Sequence, residues 1–188
     1  MTVVENNPEA GRNLRPVSVK VWDVAVRLFH WSLVISFLVA WLSADEWDRL
    51  HELFGYFIAA LIAFRVIWGV IGTKHAKFSG FIVGPTTLIN YLQDSMLQRA
   101  KRYLGHNPAG GAMIIALLFT LSVVAGSGFA MTTDMFFGIE WVEEVHEVSA
   151  TLTLVFIFLH VAGVIFSSIS HKENLVRSMF TGKKAPLE

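Results

Sequence analysis

Four of the seven histidines fall within or at the ends of long apolar stretches, and their spacing pairs them. His146 and His160 are 14 residues apart, close to four helical turns. On one helix their rings leave from nearly the same face, about 21 Å apart along the axis. His51 begins a second stretch at the level of His146, and His30 precedes Ala44, the matching end of the first stretch, by the same 14 residues. Two level pairs result, His51 with His146 and His30 with His160, each joining two different helices. Ionisable residues at such depth are costly and mark a cofactor, an ion path or a proton relay. Two imidazoles facing at one depth suit a metal. Clustered histidine boxes of the zinc or di-iron kind are missing, and no carboxylate reaches the His30/His160 layer. Two histidines alone fit the axial positions of a haem iron, whose porphyrin supplies the other four nitrogens. Arg65 follows His51 by 14 residues and so shares the layer of His160, where a haem propionate is a ready counter-ion. Arg27, one turn before His30, is placed for a similar part. Gly55, Gly163, Ser149, Ala150 and Thr153 supply small side chains where a flat macrocycle must approach the backbone.

The elements that position these residues follow from composition. Of 188 residues, 54% are hydrophobic and only 16% charged, with a mean hydropathy of +0.53. A soluble domain carries about 25% charge, so this chain lacks the polar surface for a water-facing globule. Four apolar stretches, Val24 to Ala44, Leu50 to Gly72, Gly111 to Met131 and Val145 to Ile169, are each near the ~20 residues that cross a bilayer as a helix. Strand-like alternation is missing. The expected fold is therefore all-α, an integral membrane four-helix bundle over residues 21–171. Residues 1–20, with Pro8, Gly11 and Pro16, read as a polar tail rather than a removable signal peptide, and 172–188 as a basic tail. A zero formal net charge argues against nucleic acid. The absence of cysteine excludes disulfides and thiolate ligation of iron–sulfur clusters.

Charge placement predicts orientation. Of fifteen Lys and Arg residues only Arg49 lies in the loops joining spans one to two and three to four, whereas nine of fifteen acids lie there or in the adjoining helix ends: Asp45, Glu46, Asp48, Glu52, Asp134, Glu140, Glu143, Glu144 and Glu147. Arg12 and Arg15 add to the basic side. Both termini are thus expected in the cytoplasm. This makes His51/His146 the outer, periplasmic pair and His30/His160 the inner one. Thr86 to Tyr103 has an amphipathic pattern, expected to form a cytoplasmic surface helix between spans two and three, and Asn107-Pro108 reads as the cap and first turn of span three. Trp41, Trp47 and Trp141 fit an outer aromatic belt, with Trp22 and Trp68 toward the inner side.

Plainer readings compete. A lone intramembrane histidine can simply hydrogen-bond between helices, though four in two level pairs are harder to account for in that way. His75, His106 and His171 read as solvated or capping residues of loops and flanks. The acidic loops serve equally as topology determinants or as a docking face. A proton or metal transporter with a histidine relay is the rival of another class, and it needs a broken helix, for which Gly126-Ser127-Gly128 is the only candidate. A cofactor-free membrane anchor is a third possibility.

The segments Trp22-Asp23, Arg27-Leu28-Phe29-His30-Trp31, His51-Glu52 with Gly55, Arg65 and Trp68-Gly69, then His106-Asn107-Pro108 and the His146/His160 pair, resemble the bacterial di-haem b-type cytochromes. That group includes prokaryotic cytochrome b561 and the cytochrome b subunits of nickel–iron hydrogenases. One histidine on span one, one on span two and two on span four is similar to the four-helix b561 arrangement. The resemblance implies two haem b groups and exchange of electrons with membrane quinone. The residues themselves show no quinone motif. With both axial positions filled, each iron relays electrons rather than binding oxygen. His75, Lys74 and Lys77 are near the depth of a proton path. The acidic outer face favours a basic periplasmic redox protein such as a cytochrome c, and disfavours superoxide or ascorbate. A hydrogenase or other dehydrogenase complex is the alternative partner. On this reading the chain contacts membrane lipid, and a homodimer stays open.

Overall fold

The computed structural model describes residues 18–187, so Pro8, Gly11, Arg12, Arg15 and Pro16 lie outside the described residues. The elements run β1 (Val19–Lys20), α1 (Val24–Ser43), α2 (Asp48–Ile71), α3 (Pro85–Met96), α4 (Pro108–Met131), α5 (Glu140–Ser170), α6 (Leu175–Thr181) and β2 (Lys183–Lys184). α1, α2, α4 and α5 are long and apolar enough to cross a membrane. Their starts follow local chemistry. The Asp23 carboxylate accepts the Val26 N–H at 2.8 Å, and the Asn107 side chain accepts the Gly110 N–H at 2.7 Å ahead of Pro108. α5 begins five residues before the expected Val145 because Glu140 and Glu143 favour a helix N-terminus. α3 ends at Met96, short of the expected Tyr103, because Gln98 turns left-handed with φ 54°.

Small residues let α1 lie close against α2. Ser36, Ala40 and Ser43 are buried along α1, and the hydroxyls of both serines bond back to carbonyls of their own helix. Ala40, Ile58, Ile62 and Leu121 form the central apolar cluster, joined by Leu33, Phe37, Phe54 and Ala125. Most other large apolar side chains, such as Leu42, Val70, Phe119 and Phe158, point outward, as lipid solvation requires. α1 packs on α2, α2 on α4, and α4 on α5; α5 has no comparable backbone packing on α1 or α2. The bundle is therefore splayed along the seam between α5 and the α1/α2 pair, and the histidines project into that seam.

The basic end carries a folded cap. β1 and β2 pair antiparallel, Val19 with Lys184 and Lys20 with Lys183. The Val21 and Trp22 N–H groups donate to the Gly182 carbonyl at 2.8 and 3.1 Å, and the Trp22 indole donates to the Ser178 hydroxyl at 3.3 Å. Gly182 ends α6 at φ 76°, which glycine adopts without steric cost. Residues after α5, read from sequence as a tail, thus fold back as α6 and β2. Arg102 fixes them by donating to both Glu173 carboxylate oxygens (2.8 and 3.3 Å) and to the carbonyls of Ala185 and Pro186 (2.7 Å each). Burial would raise the Glu173 carboxyl, but Arg102 and Lys184 outweigh it and hold it below the ordinary carboxylate range.

Candidate functional site

At the acidic end, His51 in the first turn of α2 faces His146 of α5, with ring centres 5.9 Å apart. Their Nδ1 atoms are occupied: His51 lies 2.8 Å from the Ala40 carbonyl, and His146 lies 3.0 Å from the Val124 carbonyl and 3.3 Å from the Ser127 hydroxyl. An N–H donated to a carbonyl fixes the tautomer and leaves Nε2 as the free donor for a metal, the usual outer-shell arrangement of a ligating histidine. Gly128 makes room for the ring, since a Cβ there would stand 3.0 Å from His146 Cε1.

At the basic end, His30 of α1 faces His160 of α5 at 6.5 Å. His30 stands edge-on to Trp31 at 5.0 Å. Metal–imidazole bonds of about 2 Å put facing ring centres roughly 6 Å apart, so both separations suit one ion between two rings. Among the described residues, no group of three or more His, Cys, Asp or Glu is arranged to hold a metal ion. A site built from these residues has two protein ligands only, which fits haem iron.

The polar atoms around the basic-end pair support the same assignment. Arg27 Nε, His30 Nδ1, Trp31 Nε1, Arg65 Nη1 and His106 Nδ1 are buried without a hydrogen-bond partner among the described residues. Arg65 is 3% exposed, with its guanidinium 4.8 Å from the centre of the Phe78 ring. Buried donors of this kind are expensive unless an acceptor meets them. The acidic side arms of a haem are acceptors of the right charge. In the space between the layers Thr153 is fully buried and Ser149 nearly so, each hydroxyl bonded back to its own helix. A Cβ at Gly55 or Gly163 would meet no atom within 4 Å, so both leave clear space beside the backbone, Gly163 at an exposed position.

Three features were not legible beforehand. His106, read as a solvated or capping loop residue, is packed between Trp22 (4.5 Å) and Phe81 (4.8 Å). Burial, then the positive charges of Arg65 and Lys184, push its protonation down to about 3. Asp23 does more than cap α1: it also accepts hydrogen bonds from the Trp68 indole and the Thr73 hydroxyl, tying the start of α1 to the end of α2. Burial alone would raise its carboxyl, but the bonds from Thr73, Val26 and Trp68 lower it. Finally, the run Gly126-Ser127-Gly128 does not break its helix; α4 is continuous, and Ser127 and Gly128 lie against His146. The helix break required for a transporter is not found there.

Comparisons with known proteins bear on the family. The chain is similar over about 90% of its length to the probable Ni/Fe-hydrogenase B-type cytochrome subunit of Rhodobacter capsulatus (23% identity, 82% of that protein). It is similar over 89% of its length to the protein of the same name from Rhizobium leguminosarum bv. viciae (22% identity, 89% of that protein). No solved structure matches the chain significantly. Residues 21–182, from just before α1 to the glycine that ends α6, match the family model of prokaryotic cytochrome b561, and the chain belongs to that family of membrane electron-transfer cytochromes b.

Proposed function

We propose that this protein carries electrons across the bacterial inner membrane between the quinone pool and a periplasmic redox protein, with two b haems held by His51/His146 and His30/His160. The supporting observation is the level pairing of four histidines from three helices, at 5.9 and 6.5 Å, along a seam where α5 stands off α1 and α2. Haem held by these residues would supply one-electron relay. The protein's own part is positioning. Ala40 and Val124 carbonyls orient the outer rings, Arg65 and Arg27 present positive charge to acidic side arms, and the lipid-facing side chains keep the seam dry.

Orientation follows from charge: the basic end, with both termini, lies in the cytoplasm, and the acidic end faces the periplasm. α3 then lies on the cytoplasmic surface. The acidic face attracts a basic partner such as a cytochrome c, in an association that weakens with salt. A second reading has specific support, because the relatives carry the name of a hydrogenase cytochrome subunit. On that reading a larger redox subunit docks on the protein and stays bound through purification.

The decisive test is a reduced-minus-oxidised optical spectrum of the purified protein with a haem assay. About two low-spin b haems per chain are expected. A colourless preparation overturns the reading. His160→Ala should lose the inner haem and spare the outer one, whereas loss of the outer haem alone would invert the pairing. Pull-down from periplasmic extract at low and high salt separates the two partner readings.

A further inference from the structure

Two buried cationic or donor groups at the basic end come from different elements and lack acceptors. Arg65, near the end of α2, makes no hydrogen bond among the described residues and is covered on one face by Phe78. His106, just before α4, is held between Trp22 and Phe81 with its Nδ1 unpartnered. A continuous run of ring contacts joins the two: Arg65 lies 4.8 Å from the Phe78 ring, Phe78 lies 5.8 Å from Phe81, and Phe81 lies 4.8 Å from His106. The charged and titratable groups that act on His106 are Arg65, Lys184, His160 and His75, all positive or neutral. The two acids whose charges reach this end, Asp23 toward Arg65 and Glu173 toward Lys184, are already engaged. Asp23 accepts from Val26, Trp68 and Thr73, and Glu173 accepts from Arg102 and pairs with Lys184. A dry, positive niche with two unanswered donors calls for an anion that the polypeptide does not supply.

We infer that His106 and Arg65 together form a carboxylate-binding site that receives an acidic side arm of the inner haem. The inference rests on the assignment of His30 and His160 as that haem's axial ligands. A b haem carries its only acidic groups on one edge, and a guanidinium with a neutral imidazole offers the two donors that a carboxylate accepts. Trp22 and Phe81 hold the imidazole plane, and Trp22 is itself anchored by Ser178 and Gly182. His106 is therefore a positioning residue. The cap built from α6 and β2 thereby holds Trp22 against His106.

The test uses the haem-loaded protein prepared with haem carrying 13C in its propionate carboxyls, read by redox-difference infrared spectroscopy and potentiometric titration. In the wild type, a label-sensitive band of the inner haem is expected at a hydrogen-bonded carboxylate position. His106→Phe should keep about two haems per chain, move that band, and shift the inner haem's reduction equilibrium toward the oxidised form by about tenfold, about 59 mV for one electron. His106→Gln, which retains a donor, should restore most of both signals, and His171→Phe should leave them unchanged. An inner-haem band at the position of a free, solvated carboxylate in the wild type overturns the inference without any variant. So does a His106→Phe protein with both haems and unaltered band and potential. A wild-type protein without haem is a different result, and it removes the functional proposal instead.

Discussion

His51 and His146 stand ring to ring at 5.9 Å, and the carbonyls that fix them belong to neither of their own helices: His51 uses Ala40 of α1, and His146 uses Val124 of α4. All four membrane-spanning helices therefore contribute to one layer, two through rings and two through backbone oxygens. Orientation of the rings is set by packing that forms anyway when α1 meets α2 and α4 meets α5. His30 Nδ1 has no such partner among the described residues, so the two layers differ in how firmly their rings are held.

That difference makes the outer layer the better place to exchange a ligand. With His146→Met the axial set becomes His/Met, which raises a haem's potential. Redox titration should show the outer component moving upward while the inner one keeps its wild-type value. Movement of both components together would mean that the layers are not separately ligated.

Gly128 offers a second test that leaves every ligand in place. A Cβ there would approach His146 Cε1 at 3.0 Å and Nδ1 at 3.3 Å, so Gly128→Val must rotate or shift the ring. Overpacking of this kind costs about 1–3 kcal/mol. The expected product is a protein with one haem in two displaced or missing, its inner spectrum intact. A normal outer haem in Gly128→Val would show that His146 has slack that the close contact does not suggest.

Much of this was readable from counting. The 14-residue intervals in the sequence predict which histidines lie level, and the structure brings together the same two pairs. Helix spacing is a local, rigid property, so it survives translation from sequence to structure. The role of His106 was not readable, because its burial depends on Trp22 from one end of the chain and on Phe81 after α2. Nothing in its neighbours' sequence marks it as interior. The folding back of α6 and β2 was hidden for a similar reason: Lys183 and Lys184 look like a solvated tail, yet Lys184 is buried beside Glu173 and the Tyr103 carbonyl. Charge composition alone carries no information about such long-range pairing.

Asp23 supplies a pH-dependent contribution to stability. Its carboxyl lies below the ordinary value of 3.8, so the stabilisation is fully present above that pH and is lost as pH falls through the lowered folded value. Asp23→Asn keeps a good cap for Val26 but removes the charge. Thermal melts in detergent should show the wild type's advantage over Asp23→Asn at pH 6 and its disappearance toward pH 3. Asp23→Ala should cost about 1 kcal/mol more at every pH, the usual worth of a cap. An advantage that grows on acidification would contradict the assigned direction.

Arg102 is expected to control the C-terminal arm rather than the bundle. Its side chain is 21% exposed and that of Glu173 is 12%, so the pair is partly screened and worth about 1 kcal/mol. The bonds to the Ala185 and Pro186 carbonyls are a separate matter, because they hold the chain end itself. Arg102→Leu should therefore expose residues 183–187 to carboxypeptidase and speed amide exchange there, while haem content stays at the wild-type level. If the arm remains protected, the β1–β2 pairing and the Trp22–Ser178 bond are sufficient to hold it.

Gly69 links helix packing to the inner site. A Cβ at this position would overlap the Phe78 ring, and that ring covers the guanidinium of Arg65. Phe78 sits on the short 3-10 turn Phe78–Gly80, next to Phe81, which in turn packs on His106. Gly69→Ala forces the ring away, at a cost of about 1–3 kcal/mol for overpacking. Displacement of Phe78 also uncovers Arg65 and loosens the contact between Phe81 and His106. The expected outcome is a lower melting temperature together with a changed inner-haem potential, the outer haem remaining as in the wild type. The double variant Gly69→Ala/Phe78→Leu, which shortens the obstructing ring, should recover part of the lost stability, since the clash is with side-chain rather than backbone atoms. Failure of that recovery, with the single variant still destabilised, would locate the strain in the turn and not in the ring over Arg65.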